Sequence, residues 1–388
     1  MHILYLYHKP LVPHFGGVEK VSAILTKEFR KLGHRVSFLY ISNPSTSSKS
    51  QLSPAYFIEP KDDARSEKFK KLIQEEKIDI IINQSFTIEM AHFLESLKEI
   101  SVPLVSVHHN QPFSYYGKER LYKKLDRPVT FSGNLTKFIA WISPLLFRYV
   151  FNIILKREFR GVLKISKKIF LLSDKFIPRI LKIMPETNPI SLRSINNPNT
   201  FNIKTIENGE KEKLIIFVGR LEDPQKNVKA FIDVWNKFHI SHADWKALVI
   251  GEGNYRKSFE EYAKKNGTKN LKFIGNKQDV TPYYSKATFL CLTSLYEGWG
   301  MVLTEAMAYE CVPIAFDSYE SIRDVIPDED LIITPFDTGK MAKRLEQLAE
   351  NSDLLDKKKK RNLTHIEKFE ASKIASEWIR NLESLIST

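Results

Sequence analysis

Residues 288–313 read TFLCLTSLYEGWGMVLTEAMAYECVP. The opening apolar run predicts a strand over 288–293. A loop bracketed by Gly298 and Gly300 follows, then a helical stretch containing Glu305, then VPIA at 312–315 as the next strand. Strand, helix, strand in that order is a crossover unit, and strands joined this way lie parallel.

The same rhythm runs outward in both directions. Upstream stand 214–218 (LIIFV), 245–250 (WKALVI) and 271–274 (LKFI), and downstream 330–333 (DLII), with helical sequence between them. The first half repeats the pattern, with strands at 2–7, 35–41, 78–82, 103–107 and 169–172 and helices near 18–32, 63–77 and 87–99. Continuous Ile/Leu/Val runs alternating with helices mark parallel sheets covered on both faces. Ser42–Pro54 interrupts the alternation as a Ser/Pro/Asn-rich loop, and 118–168 breaks it with basic and aromatic sequence around the apolar run Phe138–Leu155. Asn196-Asn-Pro-Asn199 reads as a linker. The expected fold is therefore α/β, two Rossmann-like doubly wound domains facing across a cleft. The first is 1–198, carrying the 118–168 insertion; the second is 199–369; a final helix in 370–388 packs back on the first. Ligands of such sheets bind at the C-terminal ends of the strands.

Bulk properties narrow the class. A chain of 388 residues is long for one core, and 43% apolar with 27% charged residues suits a water-soluble globular protein. The two cysteines, Cys291 and Cys311, sit in apolar runs, which reads as free thiols in a reducing cytoplasm. The apolar start His2–Tyr7 is too short for a signal-peptide core. Charge is uneven: residues 1–200 hold 31 Lys+Arg against 17 Asp+Glu, and residues 201–388 hold 28 against 29. Residues 118–182 alone hold 16 basic and 4 acidic side chains. Such an excess calls for an anionic surface, membrane or nucleic acid. No nucleic-acid-binding motif accompanies it, so no nucleic-acid partner is expected. Lys118, Arg120, Lys123 and Lys124 precede the apolar run and Lys156, Arg157, Arg160 and Lys164 follow it. That flanking pattern predicts docking on an anionic membrane face, with a wholly buried helical hairpin as the alternative.

Three constellations could carry chemistry. Between the first strand and first helix lies His14-Phe-Gly16-Gly17-Val-Glu19. Paired glycines let backbone N–H groups approach an anion at a helix N-terminus, although any such fold needs a tight turn there. Next, Phe217-Val-Gly219-Arg220-Leu221 puts an Arg at a strand tip, and Lys226 follows six residues later. Two cations there would neutralise a diphosphate whose charge grows as it departs; the plain alternative is a pair of surface cations. Third, Glu297 and Glu305 have seven residues between them in the stretch quoted first. One stands in the glycine-bracketed loop and one in the helix, so they are offset along an edge rather than a touching dyad. Carboxylates accept hydrogen bonds from sugar hydroxyls, and Gly298 and Gly300, flanking Trp299, would turn N–H groups toward a phosphate. A helix-end acid and a turn residue are the structural alternatives.

These residues resemble the retaining glycosyltransferases of family 4, which have the GT-B fold, most densely from Leu214 to Val325. The family includes bacterial polysaccharide-assembly enzymes. The resemblance implies that Gly219, Arg220 and Lys226 hold the donor diphosphate, that Glu297 contacts the donor sugar and Glu305 the ribose, and that Gly16 and Gly17 form the N-terminal glycine loop. It also implies a His at a central strand end, here His108 or His109, with His109 preferred because it directly precedes Asn110. One departure stands out: Glu310 occupies the place where the family usually has Gly before Val312-Pro313, a helix C-cap suited to positive φ.

The implied activity is retaining, metal-independent transfer of a hexose-type sugar from a UDP- or GDP-sugar to a glycan or lipid-linked glycan. No carboxylate stands out as a nucleophile, and Asp328-Glu-Asp330 reads as a turn, so neither metal nor cofactor is expected. Location is expected to be cytoplasmic, peripheral on the inner membrane face. Two other readings remain at this point: a catalytically silent GT-B protein that binds nucleotide sugar or glycan, and a GT-B-fold sugar epimerase.

Overall fold

A computed structural model describes residues 1–12, 16–42, 52, 54–97, 100–114, 144–201, 209–222 and 225–387. His14, most of the 42–54 loop, and the 118–143 part of the expected insertion lie outside these residues. By contacts the chain divides into two units, the first comprising Met1–Phe113, Asn152–Thr200 and Phe369–Thr388, the second Ser114–Phe151 and Phe201–Lys368.

The first unit runs β1 (His2–Tyr7), α1 (Gly17–Lys31), β2 (Arg35–Tyr40), β3 (Ala55–Phe57), α2 (Arg65–Glu76), β4 (Ile80–Asn83), α3 (Ile88–Ser96), β5 (Leu104–His108), the part of α4 (Pro144–Ile165) from Asn152 onward, β6 (Lys168–Leu171), α5 (Ile177–Ile183) and β7 (Leu192–Ser194). Its sheet has the order β3-β2-β1-β4-β5-β6-β7, and every pairing is parallel. All six β1 side chains are buried because helices cover both faces. In α1, Val21, Ser22, Leu25, Thr26 and Phe29 form the buried stripe at three- and four-residue spacing. The last helix, Ala371–Ile386, belongs to this unit. Its Trp378 ring meets Phe170 of β6 at 4.6 Å, and Lys167 Nζ donates to Leu385 O at 3.4 Å. Asn199 N–H donates to Phe369 O at 2.6 Å, tying the two ends of the unit's chain excursion together.

The second unit runs β8 (Glu212–Val218), α6 (Val228–His239), β9 (Lys246–Ile250), α7 (Arg256–Lys265), β10 (Leu271–Gly275), α8 (Thr281–Lys286), β11 (Ala287–Leu292), α9 (Met301–Ala308), β12 (Val312–Phe316), α10 (Ile322–Val325), β13 (Ile332–Ile333), α11 (Thr338–Ala349) and α12 (Ser352–Ile366). Its parallel sheet has the order β10-β9-β8-β11-β12-β13. Strand order reverses between β1 and β4 in the first unit and between β8 and β11 in the second. Those reversals open the crevices where doubly wound sheets take ligands.

Candidate active site

In the second unit, backbone pairing continues beyond the strands. Gly219 N–H donates to Ile250 O (3.0 Å), Leu221 N–H to Glu252 O (2.8 Å) and Gly251 N–H to Gly275 O (2.9 Å). The segment bearing Arg220 is therefore held straight past the tip of β8. This close approach depends on glycine: a Cβ on Gly251, whose φ is 145°, would stand 1.9 Å from Gly219 O, and one on Gly253 2.4 Å from Leu221 O. Arg220 is exposed and pairs with Glu222 at 3.3 Å. An exposed pair of this kind is worth about 1 kcal/mol or less, so a ligand anion can take the guanidinium over.

The loops after β8 and β11 zip together across the switch point. Leu295 N–H donates to Gln225 O at 2.8 Å, and Thr293 Oγ1 donates to the carbonyls of Lys226 and Asn227 at 3.2 and 3.1 Å. These bonds bring Lys226 Nζ to Glu297 Oε1 at 2.5 Å, with only 14% and 10% of the two side chains exposed. The Lys226 stem also lies against Gly219, whose Cβ would sit 3.6 Å from Lys226 Cδ. Burial pushes the Tyr296 phenol pKa up, with Glu297 adding to the shift and Arg220 opposing it.

Gly300 caps α9 at φ 79°, where a Cβ would stand 2.7 Å from Tyr319 Oη. Gly298 O accepts from Ser321 Oγ at 2.8 Å, and Trp299 is 2% exposed, so the loop between the glutamates is packed in place. Glu305 projects from α9, buried, and accepts from Tyr284 Oη at 2.9 Å. Glu297 is thus paired with a cation, while Oε2 of Glu305 accepts from a neutral hydroxyl.

The first unit gathers polar groups at its own switch point. His8 N–H donates to Ser85 Oγ at 3.1 Å, and His8 Nδ1 lies 2.8 Å from the same oxygen. Lys9 Nζ stands 3.3 Å from the buried Glu19 carboxylate. Burial and Glu19 raise the pKa of Tyr7. Gly16 precedes the first turn of α1 in an extended conformation, and a Cβ there would meet Glu19 Oε2 at 2.5 Å. The Glu19 carboxylate thus already lies beside the glycine pair at the start of this helix. His109 Nε2 pairs with Gln84 Oε1 at the β4 tip. His108 instead packs edge-on against Phe86 (4.6 Å) and near Phe159 (6.1 Å), its Nδ1 2.8 Å from Asn110 O. Burial pushes the pKa of His108 down to about 4 and that of His109 to about 3, so both rings are neutral at pH 7.

The comparisons with known proteins follow this division. The family described as Glycosyl transferases group 1 matches residues 199–364, and Glycosyltransferase Family 4 matches residues 15–142. Two glycosyltransferase families thus match two successive parts of the chain, and its fold is that of the GT-B glycosyltransferases. One relative is the Campylobacter jejuni GalNAc-alpha-(1->4)-GalNAc-alpha-(1->3)-diNAcBac-PP-undecaprenol alpha-1,4-N-acetyl-D-galactosaminyltransferase, 31% identical over 44% of this chain and 48% of that protein. The match thus spans about half the length of that relative. A second C. jejuni protein, the N-acetylgalactosamine-N,N'-diacetylbacillosaminyl-diphospho-undecaprenol 4-alpha-N-acetylgalactosaminyltransferase, is 22% identical over 78% of this chain and 90% of its own length. Among solved structures, S. aureus TarM (the G117R mutant with fondaparinux, alpha-GlcNAc-glycerol and UDP) superposes with a TM-score of 0.77 at 13% identity, over 98% of this chain and 99% of the other.

The second unit brings Gly219, Lys226 and Glu297 together and pairs Arg220 with Glu222, whereas Glu305 lies one helical turn and more inside α9. Asp328 and Asp330 are ion-paired: Lys358 Nζ lies 3.1 and 2.8 Å from them, Arg361 pairs with Asp328 at 2.8 Å, and Arg344 pairs with Asp330. Among the described residues no group of three or more His, Cys, Asp or Glu could hold a metal ion. Reading the sequence alone passed over Gly251, Gly253, Tyr284, His8 and Ser85. The Gly-x-Gly at the end of β9 was the one visible signal; Tyr284 and Ser85 meet partners 21 and 77 residues away, which no local pattern reports.

Proposed function

We propose that this glycosyltransferase moves a hexose-type sugar, with retention, from a UDP- or GDP-sugar to a lipid-linked glycan, without a metal ion. The observation that carries the reading is the Lys226–Glu297 contact at the β8/β11 switch point, with Arg220 just past the tip of β8 in an exposed pair with Glu222. In this reading the donor diphosphate takes Arg220 and Lys226, and Glu297, released from Lys226, accepts hydrogen bonds from the sugar. The bond from C1 to the diphosphate oxygen breaks, and the acceptor oxygen bonds to C1 on the same face. The acceptor's proton passes to the departing phosphate oxygen. The protein supplies cations and orientation rather than a covalent intermediate. His109, neutral at pH 7, serves as a hydrogen-bond partner rather than a charge.

The relatives named for diphospho-undecaprenol acceptors support a lipid-linked acceptor here. Such an acceptor has to be met at a membrane face, which the basic first half suits. The first unit, with the polar tips of β1, β4 and β5, is the part assigned to the acceptor. The test is to incubate the protein with UDP- and GDP-hexoses and an undecaprenyl-diphosphate glycan in EDTA, reading the product's anomeric proton by NMR. An α-linked product from an α-linked donor is expected. Inversion, or activity restored only by a divalent ion, would overturn retention or metal independence respectively.

A further inference from the structure

We infer that Tyr284 is a positioning residue for the donor site: its buried hydroxyl holds one oxygen of the Glu305 carboxylate and sets the orientation in which Glu305 meets the nucleotide. This rests on the reading of Glu305 as donor-binding.

Tyr284 is 0% exposed, and its Oη donates to Glu305 Oε2 at 2.9 Å. Burial and the neighbouring carboxylate push the phenol pKa far up, so the hydroxyl keeps its proton and remains a donor throughout the working range. The rest of the residue is fixed as well. Lys211 Nζ donates to Tyr284 O (3.0 Å), Ser285 O (2.8 Å) and Tyr309 O (2.5 Å). Those carbonyls belong to the C-terminal ends of α8 and α9, where unsatisfied oxygens carry partial negative charge and a cation is favoured. One ammonium therefore clamps the helix that bears the donor to the helix that bears Glu305. The Tyr284 ring also stacks on Tyr309 at 6.1 Å and 20°.

The chemistry of the partner matters. Glu297 is held by a cation, which neutralises it until a ligand intervenes. A tyrosine hydroxyl, uncharged itself, orients one oxygen of Glu305. The carboxylate's rotamer is fixed before binding, so less freedom is lost on association.

The test compares Tyr284→Phe and Glu305→Gln with the wild type. It measures Kd for UDP and for GDP by calorimetry, kcat and KM for the donor sugar, and the thermal midpoint. For the nucleotide that the wild type binds, Tyr284→Phe is expected to weaken Kd and raise KM by about tenfold, the loss of one charge-assisted hydrogen bond. Turnover at saturating donor should stay within about threefold, since the missing contact acts in ground and transition states alike. A purely structural role would lower the midpoint and leave Kd unmoved. If Glu305→Gln weakens binding and Tyr284→Phe does not, the inference falls while the reading of Glu305 stands. If neither variant changes Kd, the reading of Glu305 falls first. Should Tyr284→Phe not fold, the double variant Tyr284→Phe/Glu305→Gln leaves no carboxylate without its donor. A Kd equal to that of Glu305→Gln alone supports Tyr284 acting through Glu305, and a further loss contradicts it.

Discussion

At Glu310 the backbone stands at φ 56°, in the left-handed region that favours glycine. Two bonds close α9 there: Glu310 N–H donates to Met307 O at 3.0 Å and Cys311 N–H to Ala306 O at 2.9 Å. α1 ends with the same pair of bonds, Gly33 N–H to Arg30 O and His34 N–H to Phe29 O, but with glycine at φ 84°. The helix before Val312 thus keeps the glycine-type ending without the glycine, and Glu310 bears the left-handed strain rather than ending the helix in another way. A non-glycine residue in this conformation costs about 1–2 kcal/mol. Part is offset by electrostatic attraction to Lys211, whose pKa burial pushes down to about 8 against the opposing pull of Cys311 and Glu310. Part of any gain from glycine is lost to the freedom it gives the unfolded chain. Glu310→Gly is therefore expected to raise the urea unfolding free energy by about 0.5–1 kcal/mol with donor turnover unchanged. Equal or lower stability would contradict the strain assigned to Glu310.

Among the elements, α4 carries the clearest surface. Tyr149 and Ile153 are 66% and 50% exposed, and Arg157, Arg160 and Lys164 are exposed further along. Positions 149, 153, 157, 160 and 164 fall on one helical face, apolar at one end and basic at the other. Arg160 is engaged with Glu186 at 2.6 Å. Among the described residues no helix is long and apolar enough to cross a membrane. We propose that this face lies on an anionic bilayer, with the aromatic end at the acyl boundary and the cations among the headgroups. Charge reversal at Arg157 and Lys164 together should lower binding to phosphatidylglycerol vesicles by about tenfold or more at low salt, each cation being worth about 1 kcal/mol. Sedimentation with and without the anionic lipid checks this; binding indifferent to lipid charge, or to the substitutions, would leave the face as ordinary solvated surface. Legibility also divides by element. β1, β4, β8 and β11 were readable because two covered faces force unbroken apolar runs. β3 and β7, three residues each and only partly buried, lack any such run and were missed. The expected boundaries 198/199 and 369/370 compare with divisions at Thr200/Phe201 and Lys368/Phe369, while a further division at Phe151/Asn152 cuts the 118–168 insertion expected wholly within the first domain.

Across the whole molecule, both sheets reverse their strand order once, and each reversal collects polar side chains at strand tips. The two collections differ in chemistry. The first holds neutral histidines and a paired carboxylate; the second adds an exposed Arg and an ion-paired Lys, suited to a diphosphate. Residue types were legible from sequence wherever a strand tip announced them, as with Arg220 and Glu297. What sequence could not supply was pairing. Lys226 and Glu297 stand 71 residues apart, and the Gly219–Gly251 approach that straightens the Arg220 segment exists only once β8 lies beside β9. The central claim is that this second switch point holds a nucleoside diphosphate sugar and stabilises its departing diphosphate. The most direct measurement is release of UDP or GDP from a panel of nucleotide sugars, by the wild type and by Arg220→Ala in parallel. Expected is turnover of at least one donor by the wild type and a fall in kcat/KM of about 30- to 1,000-fold in the variant, the loss of roughly 2–4 kcal/mol of transition-state stabilisation. Release from no donor, or equal rates for the two proteins, would contradict it.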